Sequence, residues 1–438
     1  MSEAPVIDLA EVRSADEKRK QLAELDAQLL KTSEGAVIPA VSNLILIIAQ
    51  DPTLADLCAF NDFTCTPVLT ASPPPFMSDA APIPGPYPRP WQASDVAYVQ
   101  TYLQRTWTRQ ASREDTEQAM NAVAATRRFH PIRDWIATLS WDGTPRIDAW
   151  LAKAFGAAET DYTTAVAAKI LIAAVRRIRR PGVKFDHMLI LEGEQGIGKS
   201  KALASLFGAE WITDSLPPQL NSRDAALGLL GVWMVEFSEI EQIIRTEVEI
   251  IKAFLARPVD RFRAPYGRGF LNYPRQCVMI GTTNDTDYLR DSSGNRRFWP
   301  VRCSYVELDW ITENRDQLWA EAAAREASGE DHWLSDTETA REAGIVQAER
   351  MQEDVWETLV LQFLQGKPDT TTVDILFTCL SMPYERQGRR EQMRVASILR
   401  RAGWKRVLSR SGETISRKWL APKVVTDDLF VTTSSEEA

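Results

Sequence analysis

Histidine and paired cysteine, the usual ligands of zinc, are scarce in this 438-residue chain. Its three histidines (His130, His187, His332) lie far apart, and its five cysteines (Cys58, Cys65, Cys277, Cys303, Cys379) form no C-x-x-C pair. That scarcity excludes a zinc ribbon and a disulfide frame, and it makes a reducing cytosol the expected compartment. Long hydrophobic runs are missing as well. The best candidate, 44–49, falls far short of the roughly 18 apolar residues of a membrane span. No basic segment leading into an apolar stretch opens the sequence, so the expectation is a soluble, cytoplasmic protein with no membrane partner. Net positive charge is absent too, with 51 Lys and Arg facing 60 Asp and Glu. This excludes nucleic acid coating the whole surface but leaves room for a local basic track. What is present, 44% hydrophobic and 25% charged residues, is ordinary globular composition, enough for two or three domains.

The most specific pattern is Gly193, Glu194, Gln195, Gly196, Ile197, Gly198, Lys199 and Ser200, a complete G-x-x-x-x-G-K-S phosphate-binding loop. The apolar run 188–191 before it reads as a buried parallel strand, and 201–207 after it as a helix stopped by Gly208. A glycine-rich turn between strand and helix exposes backbone N–H groups beside a positive helix end, which suits the oxygens of ATP. Lys199 is the expected partner of the β- and γ-phosphates, and the Ser200 hydroxyl the expected ligand of Mg²⁺.

Acidic partners are expected at the end of a neighbouring strand. The stretch 231–239 is an apolar run ending in Glu236 and Glu239, so Glu236 is the expected metal ligand and Glu239 the group that polarises water. Phe237 separates Glu236 from any second acid, which leaves the division of labour open; the competing reading is two solvated glutamates opening a helix. Asn284, at the end of the strand pattern 277–280, fits a water-orienting amide, although asparagine is also a common turn residue. Arg296 and Arg297 fit a cationic finger reaching a phosphate bound by a neighbouring subunit; the alternative is a surface ion pair.

Five segments are expected. Residues 1–92 read as a helical region ending in a proline-rich linker (70–92), and 93–160 as a helical lead-in. Residues 161–335 form the α/β ATPase domain with a parallel central sheet, whose strand candidates are 188–191, 211–213, 232–235 and 278–280. The stretch 306–352, across the end of that domain, reads as an acidic helical connector to the fourth segment. Residues 350–423 show three helices and two β-prone runs, the order of a winged-helix-like module, and the acidic tail 424–438 reads as disordered.

Taken together, these strings resemble the virulence-associated E family of phage and prophage ATPases, itself similar to superfamily 3 helicases within the AAA+ group. The resemblance rests on 191–200, 231–239, 263–268, 274–284 and 289–300, with Phe129-His-Pro131 and Trp141-Asp-Gly143 upstream. It implies that 193–200 is Walker A, that Glu236 and Glu239 form the Walker B region, and that Asn284 is sensor 1. It makes Arg296 or Arg297 a trans-acting finger. It also implies a homo-oligomeric ring, a hexamer, in the cytoplasm of a bacterial host, with a primase or polymerase as partner. Some relatives carry an N-terminal primase; residues 1–125 show neither an acidic metal triad nor a zinc ribbon, so primase activity is not expected here.

Two stretches suit DNA. In 252–270, which begins at Lys252, arginines alternate with aromatics, and Tyr266 and Arg268 fall at a hairpin-like tip. In superfamily 3 helicases this interval carries a pore hairpin, and charge with rings suits single-strand binding. The competing reading pairs Arg261 and Arg263 with Glu236 or Asp260. In the C-terminal module, Arg389, Arg390, Arg394, Arg400 and Arg401 lie on or before the third helix (392–401), and Lys405 and Arg406 begin the wing. Such a helix enters the major groove of duplex DNA, unless it is simply a solvated face. The function expected is an ATP-dependent DNA helicase or translocase. The alternatives are an ATP-switched DNA-binding initiator that does not unwind, and a small-molecule phosphotransferase.

Overall fold

A computed structural model describes residues 9–75, 83–263, 269–286, 288–289, 295–350, 355–411 and 414–422. The chain divides into two compact units, Met1–Arg350 and Met351–Ala438. Among the described residues no helix is long and apolar enough to cross a membrane.

The first unit has two hydrophobic cores. One lies at the N-terminal end, where Leu25, Leu44, Ile47, Val99, Leu103 and Met120 from four helices meet. A small sheet covers it, built from β1 (Cys58–Asn61), β2 (Thr66–Leu69), β3 (Arg89–Pro90) and β4 (Arg128–Phe129) in the order β3-β2-β1-β4. The region expected to be purely helical therefore contains strands. The linker reading of 70–92 is corrected at its C-terminal end: Arg89–Pro90 pairs with Val68 and Leu69, while Tyr87 and Trp91 pack on the core. Proline at a sheet edge costs no ladder bond, which lets Pro90 stand in the edge strand.

The second core surrounds a five-stranded sheet. Its strands are β5 (Met188–Glu192), β6 (Ile212–Thr213), β7 (Met234–Ser238), β10 (Val278–Thr283) and β11 (Phe298–Arg302); β8 (Val259–Phe262) and β9 (Leu271–Pro274) form a separate hairpin. All pairings in the order β11-β5-β10-β7-β6 are parallel. β5 is buried along its whole length, as a strand covered on both faces must be. The Asp161–Arg179 helix starts on a Thr160 capping box and lies against this core, burying most of its length. Trp150, Trp233, Trp299 and Trp319 are all fully buried there, with Trp233 and Trp319 rings 4.1 Å apart. Trp319 belongs to the Leu308–Ala327 helix, so the segment expected to be a connector is instead structural core.

Register decides what shares an edge. Thr283 lies beside Glu192, and Thr282 beside Ser238, so the C-terminal ends of β5, β7 and β10 meet at one edge. Phe298 lies beside Met188, which puts the start of β11 at the opposite edge.

The second unit has its own core of Val360, Leu364, Ile375, Leu376, Val395, Ile398, Leu399, Trp404 and Trp419. Helices Val355–Leu364 and Arg389–Arg401 flank a short turn of helix at 372–379. β13 (Lys405–Ser411) and β14 (Thr414–Leu420) form an antiparallel hairpin, and β12 (Asp369–Thr370) pairs with β14.

Candidate functional site

The glycine-rich turn leaves β5 at Gly193 and enters the Lys199–Phe207 helix. Gly196 and Gly198 have φ of 84° and 100°, the left-handed region where a side chain is strained. Gly193 is required for a different reason: a Cβ there would lie 2.7 Å from the Cys303 carbonyl oxygen. The Lys199 ammonium donates to the carbonyl oxygens of Gly193 (2.7 Å) and Glu194 (2.9 Å), so the turn wraps around it. Burial pushes the pKa of Lys199 below its ordinary value.

Glu236 sits in the middle of β7, 5% exposed. Its Oε1 accepts from Ser200 Oγ at 2.6 Å and from Thr282 Oγ1 at 3.0 Å. A hydroxyl and a carboxylate, both oxygen donors, thus face each other where the turn meets the neighbouring strand, a donor set that suits a hard divalent cation. Glu239 occupies the residue before the Ile240–Leu255 helix, with φ of 51°. It lines, with Gln195, Gly198, Lys199, Thr283 and Asn284, a cavity of about 310 Å³. No atom stands within 4 Å of where a Cβ on Gly196 would be, which leaves the rim of that cavity open at the turn. Lys199, Ser200, Glu236, Glu239 and Asn284 therefore converge at the C-terminal strand ends.

Arg296 and Arg297 do not join them. They precede β11 at the other edge, and five residues of strand put them roughly 15 Å from the turn in their own chain. Their environments differ. Arg297 is half-buried and pairs with Asp186 at 3.3 Å, whereas Arg296 is exposed and lines a separate cavity of about 520 Å³ with Lys184, His187 and Trp299.

Lys252 requires a correction: it is buried and pairs with Glu249 at 3.1 Å, so it is held within its own helix rather than presented to DNA. β8 and β9 do form a hairpin, with Phe262 stacked on Tyr273 at 4.3 Å. Its tip, with Tyr266 and Arg268, lies outside the described residues. The partner of Asp260 is neither Arg261 nor Arg263 but the buried Arg275, at 2.6 Å, with Arg257 at 3.1 Å. In the second unit Arg389, Lys405 and Arg406 are exposed. Arg394 and Arg400 are exposed as well and lie over the rings of Trp356 and Trp419, which hold one guanidinium face. The side chains of Arg390 and Arg401 lie outside the described residues.

Three further residues escaped sequence reasoning. Glu192, one residue before the turn, is 1% exposed, yet it accepts from Tyr288 Oη (2.7 Å) and from Arg350 Nε and Nη2 (3.0 Å each). Burial beside Glu192 pushes the Tyr288 phenol well above its ordinary pKa, which keeps it a donor. The available signal was a charged residue closing an otherwise apolar strand; its partners, 96 and 158 residues away, had none.

The sequence profile of the virulence-associated protein E-like domain matches residues 136–353. The chain carries a virulence-associated protein E-like domain. The matched span contains the whole parallel sheet, the turn, both candidate acids and the arginine pair. No curated protein matches this chain. Solved structures similar to it include three of the C-terminal region of NrS-1, all without ligand, two of them of residues 305–718 of that protein. They are 12%, 14% and 12% identical, with a TM-score of 0.37 each, and the match covers 66% of this chain and 78% of theirs.

Proposed function

We propose that this chain is an ATP-dependent DNA translocase or helicase of phage or prophage replication, built on an AAA+-like core and working as a homo-oligomeric ring. The observation that carries the reading is the 2.6 Å contact of Ser200 with the buried Glu236, where Ser200 and Lys199 line the cavity that Glu239 and Asn284 also line. Lys199 and the turn's backbone hold the phosphates, and Asn284 orients the attacking water. Glu239 accepts a proton from that water. Ser200 and Glu236 would hold Mg²⁺, whose charge neutralises phosphate oxygens.

The ring is supported by the position of Arg296, which is too far to act on its own phosphate turn and free to reach a neighbour's. The number of subunits proposed, six, rests on the resemblance alone. The β8–β9 hairpin is the element proposed to track one DNA strand, and the second unit, winged-helix-like in its element order, the one to hold duplex. Lys405, Arg406 and Arg389 serve the phosphates there.

The test is ATP turnover with and without single-stranded DNA, together with strand displacement on a forked duplex. Lys199→Ala should abolish turnover. Turnover unaffected by Lys199→Ala would refute the site. DNA-stimulated turnover without displacement would identify a translocase or loader, and turnover indifferent to DNA would favour an ATP-switched DNA-binding initiator.

A further inference from the structure

The second unit keeps two aromatic rings in water. Phe377 is 48% exposed and Tyr384 66%, yet they stack on one another, centroids 4.7 Å apart and planes 18° from parallel. Among the described residues this is the ring pair in which both members are exposed; elsewhere a stacked ring such as Phe262 is buried. Stacking two rings outside a core gains little apolar burial, so folding alone does not account for their placement.

The pair is also held in place. Phe377 lies on the helical turn 375–379, and the loop after it is pinned by Met382 N–H to the Leu376 carbonyl oxygen (2.9 Å). Gln387 Nε2 donates to the Met382 carbonyl oxygen (2.8 Å), and Gln387 N–H to that of Tyr384 (3.1 Å). Tyr384 therefore starts a closed turn rather than a loose loop, and its ring pays little entropy on binding. Arg386 and Arg389, both exposed, follow within five residues. Across 355–422 twelve lysines and arginines stand against six acids, whereas the whole chain is acidic.

Exposed, preorganised rings inside a cationic surface fit a ligand with flat π-faces and negative charge between them. We propose that Phe377 and Tyr384 form a stacking platform for unpaired nucleobases, with Arg386 and Arg389 on the adjoining phosphates. This rests on the reading of the second unit as a DNA-binding module and adds a single-strand site to its duplex site. The unit then grips a junction, where paired DNA opens into separate strands.

The test uses the full chain without nucleotide and a duplex with a short overhang, too short to thread a ring, carrying 2-aminopurine or 5-iodouracil in the overhang. The wild type should quench the 2-aminopurine and cross-link the 5-iodouracil to Phe377 or Tyr384. Phe377→Ala and Tyr384→Ala should each weaken overhang binding by about tenfold while blunt-duplex affinity stays unchanged, and Tyr384→Trp should retain it. Unchanged overhang affinity and fluorescence in both alanine variants overturns the proposal, as would happen if the rings dock a protein instead. Loss of blunt-duplex binding in a Lys405→Ala/Arg406→Ala variant that still cross-links the overhang confirms the module independently. If wild type binds no blunt duplex, the underlying reading falls first, and the two failures are told apart.

Discussion

Replacing Arg350 with glutamine should destabilise the first unit by about 3 kcal/mol, near the lower end of what breaking a buried ion pair costs. The magnitude follows from Glu192. Its carboxylate is 2% exposed and accepts from two Arg350 nitrogens and from Tyr288. Arg350→Gln leaves a buried anion with one strong donor. Arg350 itself is 14% exposed, so water reaches the gap in part, which sets the figure low in the range. Three kcal/mol is more than a hundredfold in the folding equilibrium, because about 1.4 kcal/mol is tenfold.

Urea denaturation followed by tryptophan fluorescence reads this directly, since four buried tryptophans share the affected core. The midpoint should fall with the slope unchanged. Glu192→Gln combined with Arg350→Gln should recover most of the loss, because two amides carry no buried charge. A single variant within ~0.5 kcal/mol of wild type, or no recovery in the double variant, refutes the reasoning. Because Glu192 is joined directly to Gly193, the single variant should also raise the KM for ATP more than it lowers kcat.

Arg296→Ala should lower ATP turnover by about 10³-fold or more with nucleotide binding intact. Arg297→Ala should instead lower the thermal midpoint, since it breaks the pair with Asp186; equal turnover defects in both would reject this division. Gly193→Ala should weaken nucleotide binding and stability together, because the new methyl meets the Cys303 carbonyl oxygen; a wild-type melting curve would count against that contact. Burial pushes His187, stacked on Trp299 at 4.5 Å, down to about 4. Its unfolded pKa is near 6.5, so between about pH 6.5 and 4 the unfolded chain binds the extra proton. The stability it contributes is complete above that window and is lost as pH falls through it, at up to ~1.4 kcal/mol per pH unit. His187→Phe should flatten the difference in urea midpoint between pH 7 and pH 5; identical slopes would reject the burial account.

Some of this molecule was legible along the chain because its signals are local. A glycine-rich turn between a buried strand and a helix declares itself within fifteen residues, and Glu236, Glu239 and Asn284 were readable as polar ends of apolar runs. Ser200 and Glu236 were expected as ligands of one Mg²⁺, and the parallel order of the strands brings them within 2.6 Å of each other. The C-terminal helices and hairpin were visible through their own periodicity and turn.

What the linear order could not supply was partner and exposure. Lys252 and Arg268 sit in the same basic string, but a helix face buried Lys252 against Glu249, and only packing decides which face that is. Arg296 and Arg297 are adjacent letters with different surroundings, one in solvent and one on Asp186. The proline-dense stretch read as a spacer because edge pairing with a strand twenty residues earlier leaves no local trace. Local chemistry determined where the glycine-rich turn, the carboxylates and the amide would stand. Tertiary structure alone decided which charges were spent holding one another, because a charge taken out of water must find a partner, and the chain brings that partner from any distance.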